Sequence, residues 1–149
     1  MATEIEHKYL VKDDSYKTLA SERHSIRQGY LSRDPERIVR VRIIDDQAVI
    51  TIKGKSRGAA RPEFEYAVPL DDAEQLMALC LPPVLSKTRH IVMHEGNRWE
   101  VDEFGGDLEG LTTAELEIPT EDYAFNLPSF VGRDVTDNPR YYNSQLGLE

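Results

Sequence analysis

The sequence predicts an α+β fold that is mainly β: about eight antiparallel strands form the body of one domain, with a few helices outside. Charged and bulkier residues alternate along much of the chain, as they do from Glu4 to Val11, and a period of two is typical of strands. Segments rich in β-branched residues, such as Ile38 to Ile44, lie between turn residues. The 149 residues fit a single domain, 1–149, with enough chain to bury a core.

Composition and charge narrow the class of protein. The net charge of −9 argues against a nucleic-acid backbone as the partner of the outer surface, but it leaves room for an anionic ligand in an enclosed basic site. No apolar run approaches the roughly 20 residues of a membrane span, and the N-terminus has no signal-peptide pattern. We therefore expect no nucleic-acid or membrane partner and a cytoplasmic location. Cys80 is the only cysteine, and its neighbours Leu79 and Leu81 indicate a packed thiol.

The predicted elements follow from the alternation and from the residues that interrupt it. The strands are predicted over residues 4–11, 24–32, 38–44, 48–53, 61–68, 84–93, 98–104 and 113–118. A short helix is predicted after Ser15, and an amphipathic helix is predicted from Pro69 to the Pro82-Pro83 pair. In the tail, residues 122–127 are predicted as a short helix, and a final helix is predicted to end near Leu146 or Leu148.

Charged residues recur at spacing two on one face of the predicted strands. The acids on this face are Glu4, Glu6, Glu63, Glu65, Glu100, Asp102, Glu115 and Glu117. The bases are Lys8, Arg40, Arg42, Lys53, Arg61, Lys87 and Arg89. The opposite face carries apolar bulk such as Phe64, Trp99 and Leu116. The eight acids and seven bases nearly cancel.

Two arrangements accommodate such a face. An open sheet would place it in water, but repeated like-charged pairs at this spacing are unfavourable without counter-ions. A barrel of about eight strands would enclose it around a space for side chains or one small ligand. Lysine and arginine in such number suit several phosphate groups, and paired carboxylates suit Mg²⁺ or Mn²⁺. A metal-bound polyphosphate would satisfy both sets.

Several motifs, taken in order, resemble those of the triphosphate tunnel metalloenzymes, the CYTH superfamily. The first is Glu-x-Glu-x-Lys, which stands here as Glu4-Ile5-Glu6-His7-Lys8. The others are Arg40-Val41-Arg42, Thr51-Ile52-Lys53-Gly54, Arg61-Pro62-Glu63-Phe64-Glu65, Lys87-Thr88-Arg89, Glu100-Val101-Asp102, Glu115-Leu116-Glu117 and a tail with Asp134-Val135-Thr136, Arg140-Tyr141 and Asn143. The resemblance implies a closed eight-stranded tunnel that binds a triphosphate together with a divalent metal.

The resemblance also implies roles for particular residues. The phosphates would be held by Lys8, Arg40, Arg42, Lys53, Arg61, Lys87 and Arg89. The metal, Mg²⁺ or Mn²⁺, would be bound by Glu4, Glu6, Glu100, Asp102, Glu115 and Glu117. Catalytic roles fall to Lys8, Lys87, Glu63 and Glu65, and the carboxylate that deprotonates water is left open. Tyr30 resembles a residue near the tunnel mouth, with simple packing as the alternative. The histidines at 7, 24, 90 and 94 do not cluster, so we expect surface or packing roles for them.

The activity expected from this resemblance is metal-dependent hydrolysis of inorganic triphosphate to pyrophosphate and phosphate, because the short chain and compact loops leave little room for a base-binding extension. The alternatives are cyclisation of ATP to cyclic AMP, hydrolysis of thiamine triphosphate, and polyphosphate binding without catalysis. The sequence leaves the oligomeric state open.

Overall fold

A computed structural model describes residues 2–147 and confirms a mainly β fold built on a closed, eight-stranded antiparallel barrel. The strands are β1 (Ala2–Val11), β2 (Glu22–Ser32), β3 (Arg37–Ile44), β4 (Gln47–Gly54), β5 (Ala60–Val68), β6 (Leu81–His94), β7 (Asn97–Phe104), β8 (Thr112–Glu117) and β9 (Val131–Asp134). The helices are α1 (Tyr16–Leu19), α2 (Leu70–Leu79) and two 3-10 helices, Gly106–Leu108 and Pro139–Tyr141. Within 2–147, no helix is long and apolar enough to cross a membrane.

Strand β1 closes the barrel because it pairs on both of its edges. The order around the barrel is β1-β5-β4-β3-β2-β6-β7-β8, and β8 pairs again with β1. The first part of β1 lies beside β5, with Glu4 opposite Arg61, and the later part lies beside β8, with Lys8 opposite Glu115. Past Ile5, which is opposite the first residue of β5, the short strand β9 takes the place of β5 beside Tyr9 and Val11. This ninth strand was not predicted.

Tight hairpins set the register of the inward-facing residues. The β6–β7 turn has positive φ at Glu95 (50°) and Gly96 (81°), as a two-residue type I′ turn requires. The β3–β4 hairpin pairs Arg40 with Thr51 and Arg42 with Val49. Since side chains alternate along each strand, these registers fix which residues face the interior together.

Apolar residues on the outer face of the barrel form two buried clusters. One surrounds Trp99 and Leu116 and is covered by Phe130 and by Tyr16 of α1. In the other, Ala73 and Met77 of α2 pack on β3 and β4. The predicted amphipathic helix is thus confirmed as α2. The charged face is left to the inside of the barrel.

Two predicted helices are wrong. Residues 122–127 contain no helix, and the tail contains only the 3-10 helix Pro139–Tyr141 and turns up to Gly147, while Leu148 lies outside the described residues. Both segments are held by single apolar side chains and not by a helical face. The ring of Phe125 packs on Trp99 at 6.0 Å, and Leu146 packs on Leu85 and Phe104.

Candidate active site

The two arginines of β3, Arg40 and Arg42, are buried cations with neutral partners. Arg42 Nε donates to Gln28 Oε1 at 2.9 Å, and Arg40 Nη2 donates to Thr51 Oγ1 at 3.3 Å. Only 5% of Arg40 and 6% of Arg42 is exposed, and neither forms an ion pair with any carboxylate of residues 2–147. Burial, together with the charges of Arg40 and Arg89, lowers the pKa of Arg42 to about 9. Buried cations without counter-charge create a strong demand for an anion.

Deeper in the barrel, three charged side chains form a compact ion-pair group. Lys87 Nζ lies 2.6 Å from Asp102 Oδ2, while Arg89 donates through Nε to Oδ1 at 2.7 Å and through Nη2 to Oδ2 at 2.8 Å. Asp102 is completely buried. Its pKa is held far below the usual range because the attraction of Lys87 and Arg89 exceeds the cost of burial. In this geometry Asp102 is the counter-charge of two cations, and its role as a metal ligand stays a prediction.

The pKa of Lys87 in this group is also shifted downward, but here burial is the main cause. Burial lowers the pKa of Lys87, the charges of Arg89 and Arg42 act in the same direction, and together they outweigh the attraction of Asp102 and bring this pKa to about 7. A lysine with a pKa near neutrality can hold or release a proton under ordinary conditions.

Lys8 connects β1 to the tail. Its Nζ donates to the Tyr141 carbonyl at 2.8 Å and to Asn143 Oδ1 at 3.4 Å, and it lies 3.5 Å from Glu115 Oε1. The Lys8 backbone N–H donates to Thr136 Oγ1 at 3.0 Å. Burial lowers the pKa of Lys8, but Glu115 and Glu6 outweigh it and the net shift is upward, so the ammonium stays charged.

Carboxylates from the neighbouring strands β5 and β8 crowd around Glu4 of β1. Oxygen atoms of Glu4, Glu63 and Glu117 lie within 4.8 Å of one another. Lys53 Nζ compensates part of this charge, at 2.9 Å from Glu4 Oε1 and 3.5 Å from Glu63 Oε2. Burial, and then the charge of Glu4, raise the pKa of both Glu63 and Glu117. An all-oxygen donor set with unrelieved like charge fits a hard divalent cation such as Mg²⁺ or Mn²⁺.

Two further predicted metal ligands border this cluster. Burial and the charges of Glu115 and Glu4 raise the pKa of Glu6 well above its ordinary value. Burial also raises the pKa of Glu115, but Lys8 reverses this effect and brings the pKa to about 2. The pKa values of the two carboxylates are therefore shifted in opposite directions, downward for Glu115 beside Lys8 and upward for Glu6 beside Glu115 and Glu4.

The groups around Lys8 and those around Glu4 line one shared cavity. Its wall includes Glu4, Glu6, Lys8, Arg40, Lys53 and Arg61, with Tyr30 and Ile38 on one side and Thr136, Tyr142, Asn143 and Ser144 of the tail on another. The placement of Tyr30 in this wall supports the site interpretation over simple packing. Arg42, Lys87, Arg89 and Asp102 are buried in the barrel and are not among the residues that line this cavity.

The remaining predicted site residues form hydrogen bonds within the barrel. Arg61 donates to the Gly54 carbonyl at 3.3 Å, Glu65 accepts from Thr51 Oγ1 at 3.2 Å, and Glu100 accepts from Arg98 at 2.7 Å and Arg89 at 3.3 Å. The histidines do not cluster, as expected: His90 pairs with Glu103, and His24 pairs with Glu22 and Asp45.

Residues that sequence reasoning gave no role also belong to the site. Gln28 and Thr51 hold the two arginines, and Tyr141 and Asn143 hold Lys8. Gln28 could have been found, because it lies two residues before Tyr30 and so shares its inward face. The tail residues carry no periodic signal, since they lie outside any strand or long helix.

Comparisons with known proteins agree with this geometry. The model of the CYTH domain family matches residues 2–145. An inorganic triphosphatase of Acetivibrio thermocellus is 46% identical over 98% of this chain and 94% of its own length. An inorganic triphosphatase of Nitrosomonas europaea is 33% identical over 98% of this chain and 97% of its own length. A crystal structure of an inorganic triphosphatase superposes with a TM-score of 0.70 at 31% identity, covering 100% of this chain and 97% of the other. The chain belongs to the CYTH domain family.

Proposed function

We propose that this protein is a divalent-metal-dependent triphosphatase that hydrolyses inorganic triphosphate to pyrophosphate and phosphate. The observation that carries the proposal is the pair of buried guanidinium groups, Arg40 and Arg42, which form no ion pair within residues 2–147 inside a closed barrel. A polyanion of small cross-section supplies their missing counter-charge. Two relatives that align along nearly the whole chain are inorganic triphosphatases.

The cation is proposed to be Mg²⁺ or Mn²⁺, held by Glu4, Glu63 and Glu117 with Glu6 and Glu115 beside them. When bound, it would neutralise phosphate charge and make a coordinated water more acidic. Glu100 and Asp102, also predicted from the family resemblance, are less available, because each accepts hydrogen bonds from arginine. We propose that Glu100 and Asp102 assist the metal site indirectly, by fixing the arginines from which they accept hydrogen bonds.

The chain's own cations would bind and orient the phosphates. Arg40, Lys53 and Arg61 line the cavity with Lys8, and Arg42, Lys87 and Arg89 are further buried cations of the barrel. Donors fixed before the substrate arrives stabilise developing charge without reorganisation. The lowered pKa of Lys87 suits a group that gives its proton to the leaving pyrophosphate. Glu63, whose pKa is raised, and Glu65 are the proposed candidates for accepting a proton from water.

A substrate screen tests this proposal. The protein is incubated with Mg²⁺ or Mn²⁺ and with tripolyphosphate, ATP or thiamine triphosphate, and phosphate, pyrophosphate and cyclic AMP are measured. We expect phosphate release to be fastest from tripolyphosphate and to stop on chelation of the metal. Cyclic AMP from ATP without tripolyphosphate hydrolysis would identify a cyclase, and tight tripolyphosphate binding without turnover would identify a binding module.

Two substitutions connect the activity to the tunnel. Lys8→Ala and Glu115→Ala should each lower kcat/KM for tripolyphosphate by about 10²- to 10³-fold, the usual effect of losing one charge-stabilising group. Lys12→Ala, at an exposed position after β1, is the matched control and should retain activity. Circular dichroism should show the same β content in all variants. Full activity in either tunnel variant would contradict the assignment.

The proposed function also implies a binding partner and a cellular location. Its partner is a small-molecule triphosphate, and neither a nucleic acid nor a membrane is part of the proposed function. We propose a cytoplasmic location, where a lone and unpaired cysteine such as Cys80 is usual.

A further inference from the structure

The cations of the barrel fall into two groups according to the charge of their partners. Lys87 and Arg89 are compensated by Asp102, and Lys53 is compensated by Glu4. Arg40 and Arg42 instead donate to neutral oxygens, those of Thr51 and Gln28. A neutral acceptor holds a guanidinium in place without cancelling its charge.

Two amide side chains accept hydrogen bonds from the buried cationic side chains: Gln28 from Arg42 and Asn143 from Lys8. Gln28 is the more deeply buried of the two. It has no exposed surface, and in the barrel it lies between Arg42 of β3 and Leu85 of β6. Its Oε1 accepts from Arg42 Nε at 2.9 Å, while its Nε2 is buried without a hydrogen-bond partner among the described residues.

The orientation of this amide follows from chemistry. Arginine has only donors, so the atom that faces Arg42 Nε must be the oxygen of the Gln28 amide. The amide NH₂ is therefore directed away from Arg42. A buried donor without a partner costs free energy in the free protein and gains a hydrogen bond when an acceptor arrives.

We propose that Gln28 is a positioning residue for the triphosphate reaction: its neutral amide fixes Arg42 by Nε, so that the two terminal nitrogens of the guanidinium and their charge stay available to phosphate. This inference rests on the proposed function and deepens it.

The choice of an amide at this position has a physical reason. A glutamate of the same shape would pair with Arg42 and give it a permanent counter-charge, as Asp102 does for Arg89. Phosphate would then have to displace a carboxylate or accept repulsion from it. An apolar side chain of similar length would leave Nε without an acceptor and the guanidinium free to turn.

The test compares Gln28→Glu, which adds a charge at nearly constant shape, with Gln28→Met, which removes the acceptor. Gln75→Glu, at an exposed position of α2, is the matched control for the added charge. Three quantities are measured: the Tm without ligand, the Kd for tripolyphosphate without metal by calorimetry, and kcat and KM with Mg²⁺.

For Gln28→Glu we expect the ligand-free Tm to stay or rise, while Kd and KM increase about 10- to 100-fold and kcat changes less. If Gln28 only packed in the barrel, the substitution would lower the Tm and would not selectively weaken the binding of tripolyphosphate. For Gln28→Met we expect a lower ligand-free Tm and a smaller rise in KM. Gln75→Glu should match the wild type in all three quantities.

Three results would overturn the inference. One is a Kd for Gln28→Glu equal to that of Gln75→Glu. Another is a loss of Tm or failure to fold in Gln28→Glu, since this contradicts the expected pairing with Arg42. The third is that Gln28→Glu and Gln28→Met change the Tm equally and leave KM unchanged. This result would mean that Gln28 only packs in the barrel. A wild type that neither binds nor hydrolyses tripolyphosphate overturns the proposed function itself, whereas a wild type that does both leaves only Gln28 in question.

Discussion

At the scale of single residues, the partner of each buried charge decides what that charge can do. Asp102 accepts three hydrogen bonds from Lys87 and Arg89, so these two cations are compensated before any ligand binds. Arg40 and Arg42 form no ion pair within 2–147 and are held by neutral oxygens. The first group therefore supports the barrel, and the second group creates the demand for an anion.

The supporting role of Asp102 gives a stability prediction. Asp102→Asn keeps the shape but leaves Lys87 and Arg89 buried without a carboxylate, because all three side chains are nearly inaccessible to solvent. We expect the free energy of unfolding to fall by about 3 to 5 kcal/mol, as when one partner of a buried ion pair is removed. Urea denaturation without metal measures this change. Asp107→Asn, at an exposed position, is the control, and an equal effect of both substitutions would contradict the prediction.

His24 gives a pH prediction outside the cavity. Hydrogen bonds to Asp45 and Glu22 raise its pKa above the ordinary value, since both carboxylates favour the charged ring. A raised pKa in the folded state stabilises the protein fully below the pKa of the unfolded chain, about 6.5, and this gain is lost as pH rises through the folded pKa.

The Tm of the wild type should therefore exceed that of His24→Gln at pH 6, by on the order of 1 to 3 °C for so exposed a pair, and the difference should shrink towards pH 9. Calorimetric scans of both proteins across this range provide the measurement. A difference that grows with pH would show that the carboxylates do not act on His24 in this way.

Sequence alone predicted which residues face the inside, but not which of them pair. Alternation places Lys87, Arg89 and Asp102 on inward faces, because side chains in a strand point to opposite sides in turn. Their mutual contacts depend on the register between β6 and β7, which is set by the turn at Glu95 and Gly96. The alternation within a single strand does not contain the register between two strands.

At the scale of elements, β2 connects the outer helix to the site. Gly29 packs against α2, and a Cβ at this position would lie 2.8 Å from Cys80 Cβ and 2.9 Å from Cys80 Sγ. Its neighbours Gln28 and Tyr30 face the interior. A shift of β2 away from α2 would therefore displace residues of the site.

Gly29→Ala should lower the free energy of unfolding by about 1 to 3 kcal/mol, the usual cost of overpacking a buried contact. It should also reduce kcat/KM for tripolyphosphate, because the strand that carries Gln28 must move. Denaturation and steady-state kinetics measure the two effects. Gly105→Ala is the control, since the nearest atom to its added Cβ would be 3.9 Å away. Stability and activity equal to those of this control would show that α2 yields without disturbing β2.

The elements that sequence reasoning predicted well are those with a strong period. The eight barrel strands and α2 have apolar residues at spacings that match their structure, whereas the tail does not. Its segment around Pro139 is rich in polar residues, and Leu146 packs on Leu85 and Phe104, which are distant in sequence. Strand β9 pairs with β1 where β5 does not reach: β5 begins at Ala60, opposite Ile5, and so leaves the later edge of β1 open, which no local pattern shows.

At the scale of the whole molecule, an acidic protein encloses a site whose charges nearly cancel, since its inward face holds eight acids and seven bases. The net charge of −9 belongs largely to the surface, while the interior face holds seven predicted phosphate-binding cations. Closure of the barrel makes this separation possible, because it keeps the inner charges away from water and from the outer acids. The stability of the free protein is reduced by the uncompensated arginines, so a ligand that compensates them should stabilise the entire barrel.

Tripolyphosphate should therefore raise the Tm even in the presence of a chelator, before any metal contributes. At a concentration 100 times Kd the gain is about 2.7 kcal/mol, which corresponds to roughly 5 to 11 °C for a chain of this size. Pyrophosphate and phosphate should give progressively smaller shifts, because they reach fewer of the cations. Arg42→Ala should lose most of the shift, and Lys12→Ala should keep it, since Lys12 is exposed after β1. Scans at constant ionic strength with sulfate as the comparison anion separate site binding from general screening. Equal shifts with sulfate and tripolyphosphate would mean that the buried arginines do not select a chain of phosphates.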